Sequence, residues 1–338
     1  MKVSIIVPCR NESEFIVPFI DGVFQQYAEG ISVELIIADG MSDDGTRDIL
    51  NDLVLIYPGF RWIDNPKKIV STGLNLALAE ARGEIIVRMD VHTRYANDYV
   101  LGCVRALAST DAMCVGGPWV AEGRTPAQRA IAAAFQSSIG SGGAASRRTN
   151  YSGWVDTVYL GAWRRTDLLR LGGFDEALVR NQDDELNLRI HRQGGRVWQS
   201  SEIRSVYVPR ASLSTLYRQF SQYGYWKIPV IRKHQVPASP RHVAPFAFFA
   251  VLALLTALSP FTALAVWALV GLLLIYFGAL VFGTRVQRAT LEPGDPRLLT
   301  MAAVATMHLG YAVGFGRAIW DFLVLKKSSR RTMSQLTR

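Results

Sequence analysis

Cysteine is scarce in this chain of 338 residues, which contains only three. Cys9, Cys103 and Cys114 lie far apart and show no Cys-x-x-Cys spacing. This pattern argues against a disulfide framework and a zinc knuckle, so we interpret all three as buried thiols. The beginning of the chain also lacks the long apolar core of a signal peptide, because polar and charged residues follow from Arg10. We therefore expect the front of the chain to stay in the cytoplasm.

Signatures of two large protein classes are missing as well. A dinucleotide fold needs Gly-x-Gly-x-x-Gly after its first strand, but here the sequence is Pro8-Cys9-Arg10-Asn11-Glu12, which disfavours hydride chemistry. The formal charge of +9 would suit nucleic acid. However, helix-turn-helix, zinc-finger and RNA-recognition patterns are absent, and the basic residues concentrate near apolar segments. We expect no nucleic-acid partner, and instead anionic lipid headgroups, phosphorylated lipids or nucleotides.

Charge is absent altogether from residues 243 to 283. These roughly 41 residues are too many for one membrane span of ~20. The pair Ser259-Pro260 near the middle supplies a break, so the stretch predicts a hairpin of two short helices. A third apolar segment, about residues 298–325, contains several glycines that suit close helix packing.

Basic residues flank these apolar segments and leave the topology open. They are Arg232, Lys233, Arg241, Arg285, Arg288 and the cluster at 326–331. The positive-inside rule favours a cytoplasmic position for each of them. Two spans satisfy the rule for the first groups, whereas a complete third crossing would place the basic tail outside. The last segment could instead lie along the interface or re-enter, and both arrangements remain open.

The front of the chain has the pattern of an α/β fold. Val3–Val7, Val33–Ala38 and Glu84–Met89 are short apolar runs typical of buried strands. Helical stretches at 14–27, 45–57 and 71–81 can supply the crossovers of a parallel sheet. Ligands bind at the carboxyl ends of such strands, so the polar residues that follow each strand are expected to share one site.

Asp90 and His92 follow the third of these strands. Residues i and i+2 of an extended segment point to the same side, so the carboxylate and the imidazole could hold one divalent ion. The alternative is a cap or turn with no ligand, which is common for such residues after a strand.

Four segments together resemble the family 2 inverting glycosyltransferases with a GT-A fold. They are Val3–Glu12, Ala38–Thr46, Asp90-Val91-His92 and Asn181–Asn187, in the order and spacing of that family. The resemblance covers about residues 1–230. The whole chain looks most like bacterial exopolysaccharide glycosyltransferases of the succinoglycan ExoA type, including the apolar C-terminal hairpin.

The resemblance implies a GT-A domain at 1–230, with a Rossmann-like mixed sheet flanked by helices. A helical membrane region would follow at 231–338, with its hairpin at about 243–283, a third membrane or interfacial helix at about 298–325, and a basic tail. It implies transfer of one sugar from a UDP-sugar, with glucose the expected sugar, to a polyprenyl-diphosphate-linked sugar. The enzyme would face the cytoplasm at the bacterial inner membrane, in contact with membrane lipid and with polysaccharide assembly partners.

The family's functional residues can be carried onto matching positions. Donor-nucleotide contacts fall on Pro8, Arg10, Glu12, Asp39, Asp44 and Asp90. Asp39 would accept hydrogen bonds from the base, although a cap or turn is its local alternative. Asp90 and His92 would bind a divalent metal, Mn²⁺ or Mg²⁺, with imidazole favouring Mn²⁺.

The catalytic base falls on Asp183, in Gln182-Asp183-Asp184-Glu185, where the family usually has Glu-Asp-x-Glu. Gln182 replaces the first acid, which leaves Asp184 as the second candidate. Without the resemblance, these acids would suit the first turn of a helix through its dipole alone.

Acceptor-side or diphosphate contacts are predicted for Arg147, Arg148, Gly161, Tyr223, Trp226 and Lys227. The aromatic and basic stretch at 217–227 has the composition of an interfacial helix. It lacks the Gln-x-x-Arg-Trp of processive synthases, which favours one transfer per encounter. Two alternatives stay open: a polyprenyl-phosphate glycosyltransferase, and an inactive scaffold that binds nucleotide sugars.

Overall fold

The computed structural model describes residues 1–26, 30–237, 239–285, 297–327 and 329–334. The chain divides into two compact units, Met1–Val120 with Ala145–Tyr207, and Ala121–Ala144 with Val208–Arg338. This division joins residues 208–230 to the C-terminal helices. The domain boundary predicted at 230 stays a prediction. Tyr27, Arg288 and Ser328, which belong to predicted segments or clusters, lie outside the described residues.

The helices and strands alternate along the front of the chain, and helices dominate its end. The strands are β1 (Lys2–Cys9), β2 (Ser32–Asp39), β3 (Phe60–Asp64), β4 (Ile85–Arg88), β5 (Thr93–Tyr95), β6 (Cys114–Gly117), β7 (Trp119–Ala121), β8 (Gly153–Val155), β9 (Tyr159–Arg164), β10 (Val197–Gln199) and β11 (Ser205–Tyr207). The helices are α1 (Ile16–Phe24), α2 (Thr46–Ile56), α3 (Val70–Glu80), α4 (Tyr99–Ser109), α5 (Pro126–Gln136), α6 (Ser138–Ser141), α7 (Arg165–Arg170), α8 (Gln182–Arg192), α9 (Leu213–His234), α10 (Ala244–Leu258), α11 (Ala263–Arg285), α12 (Arg297–Ala318) and α13 (Arg331–Ser334).

The first unit is built on an eight-stranded mixed sheet in the order β3-β2-β1-β4-β9-β6-β10-β8. Strands β1 to β4 are parallel, and β9 runs antiparallel to both β4 and β6. A smaller sheet has the order β5-β11-β7. The predicted parallel α/β start is therefore confirmed, and the antiparallel β9 makes the sheet mixed.

Neighbouring residues of the central strands point to opposite faces of the sheet. Ile5 packs in the hydrophobic cluster that includes Tyr99 of α4, whereas Ile6 packs in a second cluster with Leu74 of α3. Both isoleucines are fully buried. Burial on two faces explains why these strands are continuous apolar runs in the sequence.

The carboxyl ends of the parallel strands meet at one edge. Cys9 pairs with Asp39, Asp39 pairs with Asp64, and Ile6 pairs with Arg88. The segments that follow these strands therefore begin at the same edge of the sheet, as the parallel arrangement predicted from the sequence requires.

The second unit is helical among its described residues. The predicted hairpin is present, because α10 ends at Leu258 just before the Ser259-Pro260 break and α11 begins at Ala263. Helix α12 continues through a π-helical turn at Ile319–Val324. Ala263–Arg285 and Arg297–Val324 are long and apolar enough to span a membrane, whereas α10, with 15 residues, is shorter.

Candidate active site

Arg88 joins the two residues that the sequence assigned to separate roles. It is the last residue of β4, and its side chain is only 4% exposed. One guanidinium nitrogen, Nη1, donates to Oδ1 of Asp183, and the other, Nη2, lies 3.4 Å from Oδ1 of Asp90. The predicted base and the predicted metal ligand therefore share one buried cation.

No function was predicted for Arg88 from the sequence. A signal was nevertheless present, because Arg88 is a lone charge inside the buried run Ile85–Met89. Buried charges in proteins are almost always paired, so such a residue predicts a carboxylate partner nearby. Its partner Asp183 is 95 positions away in the sequence, and only the fold reveals it.

Asp183 lies in the first turn of α8 with its side chain 27% exposed. Burial raises the pKa of this carboxyl group, Arg88 opposes the rise, and the charges of Asp90 and Asp184 add to it, so that the pKa is about 6. A role limited to the helix dipole would lower the pKa instead. Asp183 thus has the proton affinity of a general base that works near neutral pH.

Glu185, the third acid of this turn, is committed to the helix itself. It is fully buried and accepts bonds from Arg189 one turn later, at 2.5 Å from Nη2 and 3.2 Å from Nε. Arg189 also donates to the carbonyl of Leu171 at 2.5 Å. These contacts give Glu185 a structural role, in contrast to Asp183 and to the half-buried Asp184.

Asp90 lies in a tight turn between β4 and β5. Its backbone N–H donates to the Tyr95 hydroxyl at 2.7 Å, and its carbonyl accepts from Thr93 N–H at 3.1 Å. The His92 side chain, two residues on, is 47% exposed, and its Nδ1 lies 3.7 Å from Oε1 of Glu12. Asp90 and His92 thus lie in a turn and not in the extended segment expected from the sequence, so alternation along a strand does not place their side chains on one side. The turn leaves the imidazole accessible, and metal binding by the two residues stays a prediction.

The residues present fit a divalent cation that is shared with a phosphate ligand. Within the described ranges, Oδ2 of Asp90 and Nε2 of His92 have no hydrogen-bond partner, so both atoms can act as metal ligands. No group of three or more His, Cys, Asp or Glu side chains suited to a metal occurs in that part of the chain. A cation held by two protein ligands would take its other ligands from substrate phosphate and water.

The loops after β1 and β2 are tied together. Asp39, fully buried, accepts from Ser42 through both the backbone N–H at 3.0 Å and the hydroxyl at 2.5 Å. Ser42 Oγ in turn accepts from Asn11 N–H at 2.8 Å. The Asn11 side chain also donates to the Asp43 carboxylate at 2.8 Å and accepts from Asp43 N–H at 3.0 Å. Asp39 therefore organises this rim, whether or not it also contacts a nucleotide.

Asp44 has a clear local role. Its carboxylate accepts from Thr46 N–H at 3.1 Å, Thr46 Oγ1 at 2.5 Å and Ser13 N–H at 3.2 Å. Burial alone would raise its pKa, but these hydrogen bonds lower the pKa to about 2. The cap-like contacts at the start of α2 favour the structural alternative, and nucleotide binding by Asp44 stays a prediction.

Three further predicted contacts lie on the same strands or loops. Pro8 is half-buried within β1, and Arg10 packs beside Gly40. Glu12 is buried, and its backbone carbonyl accepts from Ile16 N–H at the start of α1 at 2.9 Å. These positions lie where the sequence analysis expected them, at and just after the carboxyl end of β1.

Arg47 is a second cation at this edge that the sequence analysis missed. Its Nη2 lies 2.8 Å from Oδ1 of Asp64, and its Nε lies 3.9 Å from Oδ2 of Asp39. The guanidinium also lies 5.1 Å from the centre of the Trp62 ring. Arg47 therefore links the carboxyl ends of β2 and β3.

The residues of the first unit that were predicted to contact the acceptor or the diphosphate occupy two places. Arg147 is half-buried at the end of a 3₁₀ turn, and Arg148 is exposed, with its carbonyl accepting from Gln199 at 3.0 Å. Gly161 lies in β9 with φ +107°, where an added Cβ would meet the Trp163 ring at 2.6 Å. Its neighbour Ala162 pairs with Val87 of β4, the residue before Arg88.

Tyr223, Trp226 and Lys227 lie on α9 in the second unit. Trp226 and Lys227 are buried there, with 4% and 3% exposure. The indole nitrogen of Trp226 donates to the carbonyl of Met333 at 2.8 Å. The C-terminal segment covers this part of α9, and the acceptor-side role of the three residues stays a prediction.

Known proteins resemble the chain both in sequence and in structure. The model of the family "Glycosyl transferase family 2" matches residues 4–170. The succinoglycan biosynthesis protein ExoA of Rhizobium meliloti (strain 1021) is 31% identical over 325 residues, which cover 94% of this chain and 95% of that protein. A dolichyl N-acetyl-alpha-D-glucosaminyl phosphate 3-beta-D-2,3-diacetamido-2,3-dideoxy-beta-D-glucuronosyltransferase of Methanococcus voltae is 24% identical, over 68% of this chain and 74% of that one.

Among solved structures, the mannosyltransferase PcManGT from Pyrobaculum calidifontis, in complex with GDP-Man and Mn2+, superposes with a TM-score of 0.59. The match covers 90% of this chain and 86% of that chain, at 20% sequence identity. At this identity the likeness shows a shared fold.

Proposed function

This chain belongs to glycosyl transferase family 2, with the GT-A fold and the resemblance to the succinoglycan ExoA type that its sequence indicated, and we propose that it is an inverting, metal-dependent enzyme of bacterial exopolysaccharide synthesis. It moves one glucose from UDP-glucose to a polyprenyl-diphosphate-linked sugar. The name of the Rhizobium relative supports the pathway. The Methanococcus relative, whose name describes a sugar on a dolichyl phosphate, supports a lipid-linked acceptor.

The observation that carries the proposal is the pairing of both Asp90 and Asp183 with Arg88. A sugar hydroxyl attacks the anomeric carbon, the bond from that carbon to the diphosphate oxygen breaks, and the hydroxyl proton passes to Asp183. The diphosphate leaves from the opposite side, so the configuration inverts. Asp183 suits this step because its pKa of about 6 lets it hold a proton transiently near neutral pH.

Asp90 and His92 are the residues that would hold a divalent cation. When bound, the cation would neutralise the charge that develops on the leaving nucleotide diphosphate. The mixed oxygen and nitrogen donor set favours Mn²⁺ over Mg²⁺, and the Mn2+ in the PcManGT complex supports this choice. Oε1 of Glu12 lies 3.7 Å from Nδ1 of His92, so Nε2 would be the ring nitrogen available to the cation.

The donor nucleotide would lie along the edge formed by β1, β2 and β4. Pro8, Arg10 and Glu12 supply its first side, Asp39 faces the base, and Asp44 supports the loop. Asp39 has its own local bonds with Ser42, so base recognition would use lone pairs that these bonds leave, or would exchange one of the bonds.

Attachment to the bacterial inner membrane, with the catalytic unit in the cytoplasm, would come from the second unit. Helix α11 is apolar on all sides, and most of its residues are not buried within the protein. A helix that is hydrophobic all round, yet exposed, has the character of a segment in lipid. Arg241 and Arg285 flank the hairpin and suit anionic headgroups.

The decisive experiment supplies membranes containing the protein with a panel of labelled nucleotide sugars and then extracts the lipid. We expect label from UDP-glucose in a lipid-linked product, only when a divalent cation is present. Label from another nucleotide sugar would correct the donor. Binding of UDP-glucose without release of UDP, even with added lipid extract, would contradict the enzyme and favour the inactive scaffold.

Asp183→Asn distinguishes a hydroxyl acceptor from the alternative, a polyprenyl phosphate. A hydroxyl must lose its proton, so we expect a loss larger than ~10²-fold, within the range of ~10²–10⁴ typical of a general base. A phosphate oxygen is already ionised, and a smaller loss would favour that acceptor. Asp184→Asn is the matched control from the same turn, and a larger loss there would transfer the base role to Asp184.

A further inference from the structure

The C-terminal segment 329–334 is fastened to α9 within the second unit. Arg330 forms a two-pronged ion pair with Asp321, at 2.6 Å from Nε and 2.7 Å from Nη2. The Tyr225 hydroxyl donates to Oδ2 of Asp321 at 3.0 Å and accepts from Arg330 N–H at 3.1 Å. Asp321 is 2% exposed. Two-pronged pairs between arginine and a carboxylate are among the stronger hydrogen-bonded contacts in proteins.

A second set of contacts extends this fastening. The Trp226 indole donates to the Met333 carbonyl at 2.8 Å, and Met333 itself is 6% exposed. The end of α12 therefore cannot separate from α9 without exposing the buried carboxylate of Asp321.

Helices α9 and α12 run parallel and in close contact. An added Cβ on Gly310 would meet the carbonyl of Tyr217 at 2.7 Å, and one on Gly314 would meet the carbonyl of Ser221 at 1.9 Å. Further along both helical segments, Tyr225 contacts Asp321, so the contacts advance in the same chain direction on both sides. The C-terminal half of α12 thus lies beside α9 rather than alone in lipid.

Helix α9 is too polar to cross a bilayer. It carries Arg218, Gln219, Gln222, Lys227, Arg232 and Lys233. Charges at the centre of a bilayer are costly. The chain also reaches α9 from β11 through residues 208–212, which span at most ~18 Å, whereas the hydrocarbon core is ~30 Å thick. The start of α9 and the end of β11 must therefore share one side of the membrane.

We propose that the α10–α11 hairpin is the only part of the described chain that enters the bilayer from this side and returns, and that the C-terminal segment 329–334 stays on the side of the catalytic unit. The occupant of the exposed apolar surface on α10 and α11 is the lipid bilayer, because residues 243–283 contain no charge and basic residues flank them. Helix α12 lies at the interface, held by Asp321 and Arg330. All the described basic flanks then lie on one side, as the positive-inside rule favours.

This inference rests on the membrane attachment proposed above, but not on the donor, the acceptor or the chemistry. Its test uses the full chain in inside-out and right-side-out bacterial vesicles with a membrane-impermeant maleimide. The native thiols, Cys9, Cys103 and Cys114, are buried, so wild-type protein gives the background. Single cysteines are introduced as Leu55→Cys, on the exposed surface of α2, and Thr332→Cys, in the C-terminal segment.

We expect both introduced thiols to react in inside-out vesicles and to be shielded in right-side-out vesicles. Reaction of Thr332→Cys from the face opposite to Leu55→Cys would overturn the proposal. If alkaline carbonate washes release the protein from the vesicles, the membrane attachment itself fails. The wash can be distinguished from a failed topology because it does not depend on maleimide labelling. Transferase activity is measured in a separate assay.

A second experiment tests the contacts between the C-terminal segment and α9. In the docked segment, the thiol of Met333→Cys should react at least ~10-fold more slowly than that of Thr332→Cys, since one position is buried and the next is exposed. Adding Arg330→Gln should remove most of this protection, whereas Lys326→Gln, an exposed control, should preserve it. Equal reaction rates in the otherwise native chain would refute the docking.

Discussion

Removing the guanidinium of Arg88 should move the pH at which the enzyme becomes active. In the native chain the pKa of Asp183 is about 6, because burial and the neighbouring acids raise it while Arg88 restrains the rise. A general base must be deprotonated, so kcat/KM should increase with pH through this value. Between pH 7 and pH 5 the ionised fraction of Asp183 falls from about nine tenths to about one tenth, which predicts a roughly tenfold loss of kcat/KM.

Arg88→Met keeps the bulk of the buried side chain and removes its charge. An adjacent arginine lowers the pKa of a carboxyl group by about 1–3 units, so its loss should raise the pKa of Asp183 to about 7–9. At pH 7 the ionised fraction would then fall to between about one half and about one hundredth, and activity should recover toward pH 9. Arg88→Lys retains a cation and should shift the profile much less.

The assay is kcat/KM for lipid-linked product between pH 5 and pH 9, at fixed saturating Mn²⁺. The profile of kcat/KM reports groups of the free enzyme, as required here. Thermal unfolding of each variant, followed by circular dichroism, separates a shifted profile from a loss of folded protein. An inflection that is unchanged in Arg88→Met, or a native profile that is flat from pH 5 to pH 8, would refute the reasoning.

Five other variants, two of them controls, test separate parts of the protein. His92→Ala should weaken Mn²⁺ binding, measured by titration calorimetry with UDP present, by about 10–100-fold, whereas the exposed His191→Ala should leave it unchanged. Asp39→Asn should weaken UDP binding by about tenfold, the loss of one hydrogen bond with a charged partner; unchanged affinity would leave Asp39 with its local role beside Ser42. Gly117→Ala should destabilise the fold by at least ~1–3 kcal/mol in urea unfolding, because its Cβ would meet the carbonyl of Ile203 at 1.6 Å. Gly22→Ala in α1, which has open space, should instead be stabilising by roughly 0.5–1 kcal/mol.

The sequence was sufficient to predict three of the strands that lie inside the large sheet, whereas the interior strands β6 and β9 were not predicted. β1, β2 and β4 are continuous apolar runs, and their parallel arrangement alone brings the following polar residues to one edge. β3 was missed because it lies at the edge of the sheet, where Arg61 and Trp62 are only half-buried. An edge strand of this kind has no run of apolar residues to mark it.

Contacts between distant parts of the chain could not be predicted in the same way. The partner of Arg88 is Asp183 in α8, and the residue that covers Trp226 is Met333 in the C-terminal segment. In both cases the local sequence identifies an unusual residue but not its partner. The helix predicted around Trp226 is confirmed, whereas its cover by the C-terminal segment could not be predicted from the local sequence.

Gln182 shows why the local charge balance around Asp183 matters. The family pattern has an acid at this position, and Gln182 is buried, with 8% exposure. A second buried carboxylate beside Asp183 would raise its pKa further, since Asp90 and Asp184 already do so. The base would then be protonated over more of the neutral range. With glutamine at 182, the positive charge of Arg88 faces two carboxylates, Asp90 and Asp183, and the pKa of the base stays close to the pH at which it must accept a proton.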